Sequence, residues 1–264
     1  MKKFLLATVA LSALTGSALA ADLPYRRAAP APMPAFVAVP VFTWSGMYVG
    51  VNAGYGFGGE GNTTTTPLNA AASAFINSGI SAGGAKLQKE GFVGGGQVGY
   101  NYQVGSLVLG LETDLQYTDL SKTATANLPA GNFSSYRSSM DYLGTVRGRV
   151  GYAMDRWMIY ATGGLAYGDI YNRHYDGNAG GILFAGSKSE TKAGYAVGAG
   201  VEYAMPAFNW GGSAATVKVE YMYYDLGKQG VTSVSAGGAP FFHNRFENDG
   251  HIVRAGLNWK FGGF

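Results

Sequence analysis

Eight times along this chain, apolar and polar residues alternate one by one over twelve or more positions. That period of two is the mark of a β-strand whose two faces meet unlike surroundings. In "MYVGVNAGYGF" one parity carries Met47, Val49, Val51, Ala53, Tyr55 and Phe57, and the other Tyr48, Gly50, Asn52, Gly54 and Gly56. "LVLGLETDLQY" separates Leu109, Leu111, Leu115 and Tyr117 from Gly110, Glu112, Asp114 and Gln116, and "HIVRAGLNWKF" separates Val253, Ala255, Leu257, Trp259 and Phe261 from Arg254, Gly256, Asn258 and Lys260. The pattern predicts strands near 46–57, 91–103, 107–118, 140–152, 157–171, 191–204, 215–226 and 250–261. Between them no apolar run approaches the ~18–20 residues a spanning helix requires.

The connections alternate in length. "VGS", "AMDR" and "MPAFNWGGSA" are short, whereas 58–90, 119–139, 172–190 and 227–249 are long and rich in Gly, Ser, Thr, Asn and Ala. Short turns at one end and long loops at the other predict an all-β fold, an eight-stranded antiparallel up-and-down transmembrane barrel. A soluble sandwich or lipocalin also alternates, but two features oppose it. Aromatic residues recur at both ends of the apolar parity, as membrane interfaces select, and the other parity carries ionisable groups in mid-strand, where a sandwich core needs Leu or Val. Only 13% of residues are charged, about half the ~25% usual for soluble domains.

The N-terminus reads as an export signal: Lys2 and Lys3, an apolar stretch from Phe4 to Leu14, then Ala18-Leu19-Ala20 as a small-residue cleavage site. Residues 1–20 are expected to be the signal peptide and 21–43 a Pro/Ala-rich periplasmic linker, since five of nine prolines fall in 22–43 and prolines neither propagate a helix nor donate to a sheet. The barrel then occupies 44–264. Without the two signal lysines, 17 basic residues face 16 acidic ones, which gives no reason to expect nucleic acid. The absence of Cys excludes disulfides and thiolate chemistry.

In an eight-stranded barrel side chains fill the interior, so the polar parity is an inventory of the lumen. Its charges are Glu112, Asp114, Arg147, Arg149, Glu202, Lys218, Glu220, Arg254 and Lys260, accompanied by Asn52, Gln97, Asn101, Gln116, Tyr160 and Asn258. Unpaired charge is costly in such a tube, so Glu112 and Asp114 are expected to meet Arg147 and Arg149 on the next strand, and Glu220 to meet Arg254. That describes a plugged polar core. The same charges read as an ion pathway describe a pore, and both readings stay open here.

"GGGQVG" (94–99) and "GYGFGG" (54–59) match the G-x-G-x-x-G pattern of a dinucleotide turn. Such a turn needs a helix directly after it, whereas "YNYQVGSLVLGLETD" is strand, turn, strand. The glycines at 95 and 99 are expected to make room for arginines inside the lumen. The long loops hold the remaining chemistry: His174 and Tyr175 in "NRHYDG", and His243, are candidate ligand contacts, although no two histidines share metal-ligand spacing. His174 with Asp176 is too sparse for a catalytic arrangement, and neither enzymatic activity, cofactor nor metal is expected. Loop 58–90 is expected either to carry a short helix near 69–77 or to be mobile.

Taken in order, "ADLP", "WSGMYVGVNAGYGFGG", "GFVGGGQVGYNYQ", "LVLGLETDLQY", "LGTVRGRVGYA", "YATGGLAYG" and "VRAGLNWKFGGF" resemble the small outer-membrane β-barrel proteins of alphaproteobacteria, often labelled porin-family, a group that includes surface antigens and haemin-binding proteins. The resemblance implies an integral protein of the Gram-negative outer membrane with periplasmic termini and four external loops. It implies insertion by the outer-membrane assembly machinery, which reads a last strand ending in an aromatic residue: Trp259, Phe261 or Phe264 here. It also implies lipid and lipopolysaccharide as surroundings, and host or phage molecules as surface contacts. The roles left open are structural and surface contact, passive diffusion of small solutes, and haemin capture through the loops.

Overall fold

The computed structural model describes residues 42–59, 61–210 and 213–261. The expected signal peptide, the linker up to residue 41, and Phe264 with its preceding glycines lie outside the described residues. Ten strands follow one another: β1 (Gly46–Gly58), β2 (Asn62–Pro67), β3 (Gly84–Lys86), β4 (Glu90–Val104), β5 (Leu107–Asn127), β6 (Phe133–Met154), β7 (Trp157–Asn178), β8 (Gly181–Trp210), β9 (Ser213–Ser235) and β10 (Pro240–Phe261). Helix α1 (Ala70–Asn77) lies between β2 and β3, begun by the Asn69 side chain, which accepts from the amide of Ala72 at 2.8 Å.

Eight of these strands form a closed antiparallel ring. β1 pairs with β4, each following strand pairs with the next up to β10, and β10 pairs back onto β1 from Gly58↔Gly250 to Met47↔Phe261. The tight turns β4–β5 and β6–β7 need left-handed backbone, supplied by Gly105 (φ 60°) and Asp155 (φ 54°).

The segments expected as long loops are largely strand. β5 to β10 run 21 to 30 residues each, whereas a tilted strand crosses a bilayer in ~9–11. The hairpins therefore stand tall above the apolar band, and loops remain only at their tips. Small polar residues occupy both faces of these upper segments, as in "FSSYRSS" (133–139), so no period of two announces them. β1 stops at Gly58, below the upper half of β10. There the exposed edge of β10 is covered by β2, from Phe242↔Pro67 to Phe246↔Thr63, and β2 by β3. An uncovered edge would leave a row of unpaired backbone groups.

Side chains partition as the alternation demands, inside out relative to a soluble protein. Met47, Val51, Leu111, Leu115, Val150 and Leu165 point outward, with Leu111 68% exposed. Aromatic residues bracket this band. Tyr55, Phe57, Phe92, Tyr117, Tyr195 and Tyr221 are exposed at the tall end, and Tyr100, Tyr102, Tyr152, Trp157 and Phe261 at the short-turn end. Trp259 and Phe261 both face outward on the last strand, opposite Val49 and Met47 of β1.

The inside is layered. At the short-turn end Trp44 turns into the ring and packs with Val108, Met158, Tyr160 and Ala204. Its indole donates to the carbonyl of Asp155 at 3.2 Å, and its amide to Oε1 of Gln103 at 2.7 Å. Beyond the charged layer described below lies an apolar one built from Val93, Leu120, Met140, Ile170, Met222 and Ile252. At the far tip α1 closes the hairpins: Phe75 meets Phe184 and Phe241 edge-on at 5.5 Å each, and Phe184 stacks on Phe241 at 4.2 Å.

Trp44 is the largest side chain sealing the short-turn end. Trp44→Ala is expected to lower folding stability by about 3–5 kcal/mol, the range for truncating a buried tryptophan. A lower urea midpoint for the refolded variant in detergent checks it.

Candidate functional site

Between these apolar layers the inward parity of β5, β6, β8, β9 and β10 brings together four carboxylates, Glu112, Asp114, Glu202 and Glu220, and four cations, Arg147, Arg149, Lys218 and Arg254, all at most 3% exposed. The formal charges of these eight cancel; Lys260, also inward on β10 and buried, lies apart toward the short-turn end with its ammonium 5.3 Å from the centre of the Phe42 ring. Each residue faces inward because its strand alternates, but the register decides which of them meet.

Arg147 is the hub, and every guanidinium nitrogen donates. Nη1 reaches Glu220 at 2.7 Å and Thr162 at 2.8 Å; Nη2 reaches Glu112 at 2.8 Å and Asp114 at 2.9 Å; Nε reaches Thr145 at 2.9 Å. Because β6 and β9 are separated by two strands around the ring, the Arg147–Glu220 pair is a chord across the lumen. Arg254 Nη2 donates to Glu220 at 2.7 Å and Asp114 at 3.2 Å. Lys218 Nζ donates to Glu112 at 2.7 Å, and the hydroxyls of Tyr48 and Tyr160 donate to Glu112 at 2.8 Å and Glu220 at 2.9 Å. Burying charge at this density requires this degree of pairing, since removing one partner of a buried pair typically costs ~3–5 kcal/mol.

Two expectations are corrected. Arg149 does not meet Glu112 or Asp114; it pairs with Glu202 of β8. Along β5–β6, Glu112 stands opposite Arg147 but Arg149 stands opposite Gly110, one step toward the short turns. From there its guanidinium lies 3.7 Å from the centre of the Tyr160 ring, and Glu202 also accepts from Thr216 and, at 2.9 Å, from Asn258. The lumen glycines, secondly, accommodate rings and amides more than arginines. Of the two glycines expected to make room for arginines, a Cβ on Gly99 would fall 2.4 Å from the Tyr48 ring and one on Gly95 2.1 Å from the backbone carbonyl of Leu115, while one on Gly50 would fall 2.2 Å from the Asn258 amide oxygen. Sequence reasoning left Tyr48 out of the charged layer although its parity points inward, and it left out Thr145, Thr162 and Thr216. Their inward parity was the signal available.

The candidate loop residues fall elsewhere than expected. His174 lies within β7 and is 0% exposed. Its Nδ1 is 2.8 Å from Ser233 Oγ and 3.1 Å from the amide of Asn244, its Nε2 is 3.3 Å from Asp176, and the Tyr136 ring lies 4.4 Å away. Ser233 and Asp176 thus lie on either side of the His174 ring, sealed beneath the β2–α1–β3 segment: Ser81 donates to Asp176 at 2.8 Å, and Tyr136 donates to the carbonyl of Ala82 at 2.9 Å. Tyr175 faces outward under the Arg173 guanidinium at 4.9 Å. His243 is half-buried on the outer face of β10, its ring against Gly230. The three are not brought together. Among the described residues no group of three or more His, Asp or Glu is arranged to hold a metal.

One cation lies above the apolar layer and clear of the membrane-facing band. Lys89 is 2% exposed, with Nζ 3.4 Å from the Asn248 side-chain oxygen. Burial pulls its ammonium down to about 8, opposed by the attraction of Asp249.

The model of the outer membrane protein beta-barrel domain family matches residues 6–261. The 31 kDa outer-membrane immunogenic protein of Brucella melitensis is 37% identical over 99% of this chain and 100% of its own length. The 22 kDa outer membrane protein of Rhizobium leguminosarum bv. viciae is 33% identical over 70% of this chain and 66% of its own. Among solved structures, Neisserial surface protein A aligns over 82% of this chain and 98% of its own at 16% identity, with a TM-score of 0.33.

Two measurements check this geometry. In double-mutant cycles, Arg149→Met is expected to couple to Glu202→Gln by about 1–3 kcal/mol, and to Asp114→Asn by less than about 0.5, the difference between partners and non-partners. For Lys89, the unfolded chain keeps its proton up to the ordinary value of 10.5 while the folded one sheds it from about 8. Stability therefore rises with pH across that window. Lys89→Met should abolish that component and raise the urea midpoint at neutral pH.

Proposed function

Because the chain belongs to the outer-membrane β-barrel family and is an integral protein of the Gram-negative outer membrane, we propose that it is a non-conducting, non-enzymatic structural barrel that contributes to envelope integrity and presents its tall hairpins at the cell surface. The observation that carries this reading is the charged layer itself. Four cations and four carboxylates fill the cross-section with chords such as Arg147–Glu220, and apolar layers lie on both sides of it. A hydrated ion would have to displace several paired buried charges and then cross packed side chains. The side chains that would mark a pore instead neutralise one another.

The same geometry supports the surface role. The relatives are named as immunogenic outer-membrane proteins, and the upper halves of β5 to β10, closed by α1, are the part of this molecule that stands clear of the apolar band. Lipid and lipopolysaccharide would surround that band, and host or phage molecules would meet the tips. Haemin capture through His174 gains no support, because that ring is fully buried. Trp259 and Phe261, outward on the final strand, are the aromatic residues through which we propose the assembly machinery recognises the chain.

Planar-bilayer recording of purified protein is the test. We expect no steady single-channel conductance at neutral pH, and we expect Arg147→Ala/Glu220→Ala, which removes a chord, to admit small flickering currents. Large steady currents from the unmodified protein would overturn the reading.

A further inference from the structure

On the outer face of the barrel, at the level of the upper aromatic ring, a groove of about 700 Å³ opens where β9 and β10 meet the end of β1, a volume within the ~300–1,000 Å³ of small-molecule sites. Its walls are aromatic. Phe57 stacks on His251 with ring centres 5.5 Å apart and planes 24° from parallel, and Tyr223 leans on the same imidazole at 5.2 Å. Its polar end is acidic. Asp225 and Asp249 are direct cross-strand partners at a register shift in the β9–β10 ladder, both half-buried and both acting electrostatically on Tyr223. A Cβ on Gly59 would fall 1.8 Å from an Asp249 carboxylate oxygen, so only glycine lets that carboxylate turn into the groove.

Like charges facing each other across a ladder are destabilising. Neither aspartate forms a salt bridge among the described residues, and Lys228, the one lysine lining the groove, is held by Glu247 at 2.6 Å. Asp249 lends part of its field to Lys89 on the inner side, and Asp225 Oδ1 accepts from the amide of Gly227 at 2.7 Å, which leaves both without a cationic partner on the groove side. Two carboxylates without a salt-bridge partner among the described residues, beside the rings of Phe57 and Tyr223, describe a receptor for an organic cation: phenyl and phenol rings attract ammonium groups through their quadrupoles, and the carboxylates supply the countercharge. A hard divalent ion would instead demand a shell of oxygens.

We propose that this groove binds an alkylammonium group, seated against Phe57, Tyr223 and His251 and held by Asp225 and Asp249. Its position at the outer aromatic ring suits either the headgroup of a neighbouring lipid or a free amine from the medium. The proposal does not depend on whether the lumen conducts.

Full-length protein in a non-ionic detergent tests it, with benzyltrimethylammonium as probe followed by calorimetric titration. Saturable binding is expected, weakened at least tenfold by Asp225→Asn and by Tyr223→Leu, with heat-modifiable gel migration retained to show that the barrel is intact. Native mass spectrometry with phosphatidylethanolamine against phosphatidylglycerol of the same chains separates the sources. Selective ethanolamine-lipid adducts lost in Asp225→Asn/Asp249→Asn assign the site to lipid, and probe binding without them assigns it to a soluble amine. Absence of both, unchanged binding in the double variant, or competition by millimolar calcium at constant ionic strength would overturn the proposal.

Discussion

Pairing of β10 back onto β1 is the interaction on which everything else in this molecule rests. In a bilayer no water is available to an open strand edge, and each unpaired amide or carbonyl costs several kcal/mol. Twelve consecutive residue pairs, Met47↔Phe261 to Gly58↔Gly250, remove both edges at once. The length of β1 also sets the height of the closed ring. Where β1 ends, β10 continues, and the chain immediately after β1 folds back as β2 and β3 to cover the edge left exposed. The long first connection is thus sheet and cap together, tied down through Tyr136, Ser134 and Asp176.

Closure with eight strands makes the interior narrow, and narrowness turns inward-facing polar residues into a packed core. A wider ring would leave its charges in water, where an ion pair is worth little. Here the inward charges are buried, so each must find partners within reach, and the balance of four against four in the central layer makes that burial tolerable. Tyrosines complete it. Tyr48 and Tyr160 each donate to a carboxylate while offering ring faces to Arg149, which links the Arg147 cluster to the Arg149–Glu202 pair. Gly99 and Gly200 leave the space that the Tyr48 and Tyr160 rings occupy.

The outer face answers to a different solvent. Leucine and valine meet lipid, aromatic rings mark both boundaries, and above the upper ring stands a second, differently built body: small polar residues on both strand faces, buried histidine and amides within, and a phenylalanine cluster beneath α1. The surface role and the ammonium groove that we propose lie at or above the upper aromatic ring, where the barrel leaves the hydrocarbon and neighbouring strands need no longer present a uniform apolar face.

The period of two by itself determined the ring: strand number, which face each residue takes, the aromatic boundaries and the inward set of charges were all legible, because a strand between lipid and lumen has no other way to satisfy both. Residue-to-residue pairing was not. Whether Arg149 meets Asp114 or Glu202 depends on a stagger of a few ångströms between strands and on reach across the lumen, neither of which a linear pattern records. Nor was the upper half legible, since a segment such as "FSSYRSS" (133–139) does not alternate and so declares no face; such segments become strand because the strands beneath them are already held in register. His174 read as an exposed loop residue for the same reason, and it is the folding of β2, α1 and β3 over the hairpins that buries it. Local chemistry decided which side of the wall each residue occupies, and only the tertiary structure, through register and closure, decided which residues touch.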